Sequence, residues 1–132
     1  METNSKFLRK KIGNLLKEYL SKKIIMGSSS GAMILGMEQP ISLFRARYGN
    51  NAGNIVEEAF MRLVPFSIIP HFRRPDHTQI NDEFLNYHLH DSPFPLFALQ
   101  DSQAVFFDGK IHFCGGEPSI FGNHDHCLHL LD

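Results

Sequence analysis

Five consecutive small residues, Gly27-Ser28-Ser29-Ser30-Gly31, separate the apolar run Lys23-Ile24-Ile25-Met26 from the helix-forming Ala32-Met33-Ile34-Leu35-Gly36. Strand, tight turn and helix in that order are the context that a nucleophile-elbow motif demands. The turn fits the G-x-S-x-G pattern, whose middle serine sits on a sharp, strained bend with its hydroxyl exposed. Neighbours that close to the backbone have to be small. The helix beginning there turns its free amides and positive dipole end toward the serine. Ser29 is therefore the candidate nucleophile. The amide after it, that of Ser30, is the candidate oxyanion donor. Three serines in a row also suit a flexible connector; the flanking apolar strand and helix favour the bend.

The chain has 132 residues, enough for one domain that buries roughly 65–70% of its unfolded surface. With 42% hydrophobic and 20% charged residues and a net charge of −1, it reads as an ordinary globular protein with no nucleic-acid or polyanion surface. Apolar runs are too short for a membrane span. The start, Met-Glu-Thr-Asn-Ser-Lys, lacks the apolar core of a signal peptide. Two cysteines, Cys114 and Cys127, without such a peptide point to a reduced, cytoplasmic chain.

Residues 6–21 place Phe7, Leu8, Ile12, Leu15, Leu16, Tyr19 and Leu20 at helical spacing with a basic outer face. The expectation is a helix covering one face of a sheet, ahead of the elbow at 24–36. Residues 38–54 read as a loop. A buried strand is expected within Phe60–Ile69, ended by Pro70-His71. A helix is expected from Pro75 to Tyr87, capped by Asp76, with Ile80, Phe84 and Leu85 inward. Leu96-Phe97-Ala98-Leu99 is a further strand. Ala104–Phe107 and Lys110–Phe113 form a hairpin about a two-residue Asp108-Gly109 turn. The segments carrying His and Asp thus span 60–116, and 117–132 is a polar, His-rich tail.

A serine nucleophile needs a base. Of eight histidines, His71 follows a buried strand directly, where side chains are rigidly placed. The base needs an acid to fix its tautomer. Asp101, after the strand at 96–99, has the same placement; Asp91 and Asp108 are rivals, although the hairpin turn already accounts for Asp108. A second triad, Ser29, Asp101 and His126, follows the chain order of α/β-hydrolases and would make the chain an esterase of that type. It puts the base on the polar tail. If His71 is the base, activity falls at acid pH, and a flat profile between about pH 5 and 8 counts against it.

Three segments resemble the dipeptidase E (α-aspartyl dipeptidase) and cyanophycinase-related serine peptidases. They are Ile25-Met26-Gly27-Ser28-Ser29-Ser30-Gly31-Ala32, Leu63-Val64-Pro65-Phe66-Ser67-Ile68-Ile69-Pro70-His71-Phe72 and Ala98-Leu99-Gln100-Asp101. The resemblance runs from about Phe7 to about Gly116. It implies Ser29 as nucleophile, His71 as base and Asp101 as the acid. It also implies the three-layer α/β/α sandwich shared with class I glutamine amidotransferases, here partial, as a single domain over 1–132. The implied activity is hydrolysis of short peptides, often with an N-terminal aspartyl residue, without a cofactor. Two departures from the family pattern stand out. Ser30 replaces the usual alanine. The half-domain that family members carry before the elbow helix, with a G-G-G-N segment supplying a second oxyanion amide, has no counterpart. The expectation is a shortened chain, either weakly active, inactive and acting as an interaction module, or completed by a homodimer mate or partner chain over the open sheet.

An aspartyl substrate calls for a cation. Arg73 and Arg74, just after His71, are the candidates, with Arg45, Arg47 and Arg62 as alternatives. The run Asn123-His124-Asp125-His126-Cys127-Leu128-His129, with Cys114 and His112 near it in sequence, offers metal-binding side chains but matches no zinc signature, so no metal site is expected.

Overall fold

The computed structural model describes residues 4–20, 22–39, 60–75, 82–89, 92 and 94–122. Its elements are α1 (Asn4–Leu20), α2 (Ser30–Leu35), β1 (Ser67–Ile69), α3 (Asp82–Leu89), β2 (Leu96–Ala98), β3 (Ala104–Phe107), β4 (Ile111–Cys114) and β5 (Ser119–Phe121). This is an α/β architecture. The central sheet runs β1-β2-β5, and β3-β4 form a separate hairpin.

β1 and β2 are parallel and in register, Ile69 opposite Ala98, so both chains leave the sheet at the same end. β5 returns antiparallel to β2, with Phe97 opposite Ile120. Alternation along the strands divides the core in two. On one face Ile69, Leu96, Ala98 and Phe121 pack with Phe72 and with Leu85 and Leu89 of α3. On the other, Phe66, Ile68, Phe97 and Leu99 meet Ile111, Val105, Phe107 and Phe113 of the hairpin and Ala32 of α2. Phe97 lies 4.8 Å from Phe66 and 5.4 Å from Phe113, ring centre to ring centre. With both faces covered, β1 and β2 are buried at every position, as a parallel pair requires. Ser67, the polar residue in β1, is satisfied by donating its hydroxyl to the Met37 carbonyl at 3.1 Å.

Several expectations are corrected. The strand over 23–26 is not formed among the described residues: Ile24 and Met26 are 82% and 90% exposed. The free edge of β1 shows why. Its outward carbonyls, those of Phe66 and Ile68, already accept from the Met37 amide at 3.0 Å and the Gln39 side chain at 2.5 Å. A strand needs a ladder, and these acceptors are taken. Helix α1 forms, but Ile12, Leu15 and Tyr19 stay exposed rather than covering the sheet, whose faces α3 and the hairpin already fill. The strand expected within 60–69 shrinks to its last three residues. Upstream, the amides of Met61, Arg62 and Leu63 instead donate to the carbonyls of Ile34, Gly36 and Leu35 at the end of α2, meeting groups that a helix leaves open.

The helix expected from Pro75 to Tyr87 is seen as α3 over Asp82–Leu89; Asp76 and Ile80 lie outside the described residues. The hairpin closes through three residues, 108–110, because Phe107 pairs with Ile111. Gly109 takes φ +100° there, and Asp108 Oδ1 accepts from the Lys110 amide at 3.1 Å. The tail expected to be polar from 117 instead contributes β5, with Pro118 and Phe121 buried; residues 123–132 lie outside the described set. No described helix is long and apolar enough to cross a membrane.

Candidate active site

Ser29 immediately precedes α2 and has φ 52°, ψ −124°, a left-handed conformation that a non-glycine residue adopts only where its surroundings impose it. Three features impose it. The Ser29 carbonyl accepts from the Ala32 and Met33 amides at 3.0 and 3.3 Å, which commits the chain to the helix at once. The Gly31 amide donates to the Ser28 carbonyl at 2.9 Å. Gly27 lies so close to α2 that an added Cβ would fall 2.8 Å from the Gly31 carbonyl oxygen and 2.9 Å from Ala32 Cα. Position 27 therefore has to be glycine. Position 31 does not, for nothing lies within 4 Å of where its Cβ would be. Beyond α2, Gly36 abuts the Phe66 carbonyl and the chain bonds to β1, which fixes the elbow's exit.

His71 follows β1 by one residue, after buried Pro70, and also takes a left-handed φ of 59°. The next residue, Phe72, is buried and donates its amide to the Leu99 carbonyl at 2.8 Å; the Leu99 amide donates to the Ile69 carbonyl at 2.8 Å. These two bonds tie the turn after β1 to the end of β2, two residues before Asp101. Parallel register thus delivers His71 and Asp101 to the same sheet end, the carboxyl end where ligands bind in open α/β sheets.

The three side chains meet. Ser29 Oγ lies 3.0 Å from His71 Nε2, and His71 Nδ1 hydrogen-bonds Asp101 Oδ1. A carboxylate only accepts, so Nδ1 carries the proton and Nε2 presents a lone pair to the serine hydroxyl. Ser29 and Asp101 are exposed and His71 half-buried, so the site opens to solvent. Ser30 begins α2, where a helix leaves amides free, and no described residue accepts its N–H.

The other candidates separate cleanly. Arg74 Nη1 lies 3.4 Å from His71 Nδ1, and its Nε lies 4.0 Å from Asp101 Oδ2. Because Nδ1 already donates to Asp101, the guanidinium acts on this pair as a neighbouring charge. Arg73 turns elsewhere, 3.4 Å from Asp82 of α3 and 5.2 Å above the Phe72 ring. Arg62 pairs with Glu38. Asp108 serves its own turn: the Lys110 amide, followed by the His112 side chain, holds its carboxyl below the usual aspartate value. Arg45, Arg47, Asp91 and His126 lie outside the described residues, as does the run 123–129.

The model of peptidase family S51 matches residues 7–113, a span that holds Ser29, His71 and Asp101. The chain belongs to peptidase family S51. Its class is therefore that of a serine peptidase, and its α/β structure is consistent with the glutamine amidotransferase-like fold of the family. No curated protein and no solved structure gives a significant match. Within this S51 chain, the P-H-F segment is the β1 exit and the G-S-S-S-G segment is the strained turn.

Proposed function

We propose that the chain hydrolyses short peptides through an acyl-enzyme, with Ser29 as nucleophile, His71 as general base and Asp101 as the residue that orients it. The observation that carries this is the unbroken contact from Ser29 Oγ through the imidazole to Asp101, with Ser29 held in a left-handed backbone. Ser29 Oγ bonds to the scissile carbonyl carbon while its proton passes to His71 Nε2. The carbonyl oxygen becomes an oxyanion, to which the Ser30 amide donates. Collapse breaks the C–N bond, and His71 returns the proton to the leaving amine. Water then repeats the sequence on the ester, freeing Ser29 and a carboxylic acid. Losing one oxyanion donor typically costs about 10²–10³ in turnover, so the Ser30 amide matters to the rate.

For substrates with an N-terminal aspartyl residue, Arg74 is the cation on the His71–Asp101 side of the site. Arg74→Ala then lowers cleavage of an aspartyl dipeptide more than that of a neutral ester; equal losses on both remove the aspartyl specificity. A second reading, a folded chain with little turnover that acts by interaction, draws on the exposure of Ile24 and Met26 just before the elbow. A fluorophosphonate probe separates the two. Labelling in the unmodified chain that disappears in Ser29→Ala supports the hydrolase. A folded chain that never labels supports the interaction module.

A further inference from the structure

Asp101 poses a mechanical problem. Its side chain is 55% exposed, it lies beyond the end of β2, and it stands in a turn rather than in the sheet. An orienting carboxylate on a loose turn would orient nothing, because catalytic groups need supports that are themselves held. We propose that Gln103 is the positioning residue that holds Asp101, by closing the turn 100–103 and fastening it to the turn after β4. The proposal rests on the catalytic reading above.

Gln103 grips the turn twice. Its backbone amide donates to the Gln100 carbonyl at 3.0 Å, and its side-chain Oε1 accepts from the Gln100 amide at 2.9 Å. Both polar backbone groups of Gln100 are thereby bound to one residue, and Asp101 and Ser102 form the two-residue arch between them. The far side of the same amide then reaches across: Nε2 donates to the Glu117 carbonyl at 3.1 Å. That carbonyl belongs to the segment joining β4 to β5, which the hairpin and sheet hold in place.

The arch also rests on that segment directly. Gly115, at φ +77°, lies so close that an added Cβ would fall 2.0 Å from the Ser102 carbonyl oxygen. A buttress therefore lies below the arch, a two-sided clamp closes its base, and the carboxylate projects toward His71. Gln103 touches neither Ser29 nor His71 in any described contact, so it acts through Asp101.

Acting through another residue has a specific signature. In a double-mutant cycle, Gln103→Ala lowers the rate of Ser29 labelling roughly ten- to hundredfold, in keeping with a small misplacement of a catalytic group. In an Asp101→Ala background the same change costs less than twofold, because the residue it positions is gone. Equal losses in both backgrounds, or no loss in the unmodified one, overturn the proposal. Should Gln103→Ala not fold, Gln103→Glu enters the same cycle, since it keeps the acceptor for Gln100 but loses the donor to Glu117.

A second readout needs no turnover. The ring ¹⁵N shifts of His71, taken at about pH 8.5 where histidines are largely neutral, report which nitrogen holds the proton. The unmodified chain gives the Nδ1–H form, and Gln103→Ala gives a mixture. An unchanged Nδ1–H form in Gln103→Ala overturns the clamp even if the chain labels. A mixture in a chain that never labels supports the clamp while removing the hydrolase reading.

Discussion

His71 and Asp101 stand at the ends of two strands bonded to each other, whereas Ser29 stands on a turn secured mainly from its exit. The first platform is cross-braced: Leu99 accepts from the Phe72 amide and donates to the Ile69 carbonyl, and Leu96, Phe97 and Ala98 beneath them are buried. The second has α2 and residues 36–39 fastened to β1, but its approach, 24–26, has exposed apolar side chains and no described backbone ladder. The difference shows that a strained serine turn can be held by a helix start and one close glycine contact. An imidazole and a carboxylate on two separate loops need a shared frame, because the loops must keep one hydrogen bond between them.

Unfolding measurements should divide the two platforms most sharply. Phe97→Ala removes a ring packed between Phe66 and Phe113 and should cost about 3–5 kcal/mol. Ile24→Thr combined with Met26→Thr should stay within about 0.5 kcal/mol per site, as exposed positions do. A large loss from the double change would mean that the approach is packed after all. At the elbow, Gly27→Ala drives a methyl into the backbone of α2 and should slow Ser29 labelling about 10²-fold or more while the sheet still folds. Unaltered labelling would show that the bend does not depend on that contact.

The smallest effect concerns Asp108, in the turn of the β3-β4 hairpin. Its carboxyl is held below 3.8 by the Lys110 amide and the His112 side chain. A lowered folded-state value means that the charged form steadies the hairpin above the ordinary aspartate range, and that this help is lost as the pH falls through the lower, folded value. Thermal melts should therefore show Asp108→Asn slightly less stable than the unmodified chain at pH 7, with the gap closing as the pH falls through the lowered folded-state value. A constant gap would remove the titration as its cause.

The meeting of Ser29, His71 and Asp101 was legible because each follows a short apolar run, and a glycine-flanked serine bend has few other uses. The helix over Asn4–Leu20 was legible for its spacing, but its packing was not, since amphipathicity says that a face is apolar and not what covers it. The strand expected at 23–26 failed because β-structure is a property of the neighbour: Met37 and Gln39 hold the β1 edge, and nothing in Ile24-Ile25-Met26 reveals that. β5 was missed because three residues between Pro118 and Gly122 are too few to show a period. Gln103 was missed as well, although the Gln100-Asp101-Ser102-Gln103 spacing and the Gly115-Gly116 pair hint at a buttressed turn.

The proposed hydrolysis depends on proton transfer between Ser29 and His71, and the second-order rate of fluorophosphonate labelling in His71→Ala tests it most directly. With the imidazole removed from a chain that still folds, labelling at Ser29 should fall by about 10³-fold or more. Labelling at the unmodified rate, or on a serine other than Ser29, would contradict it.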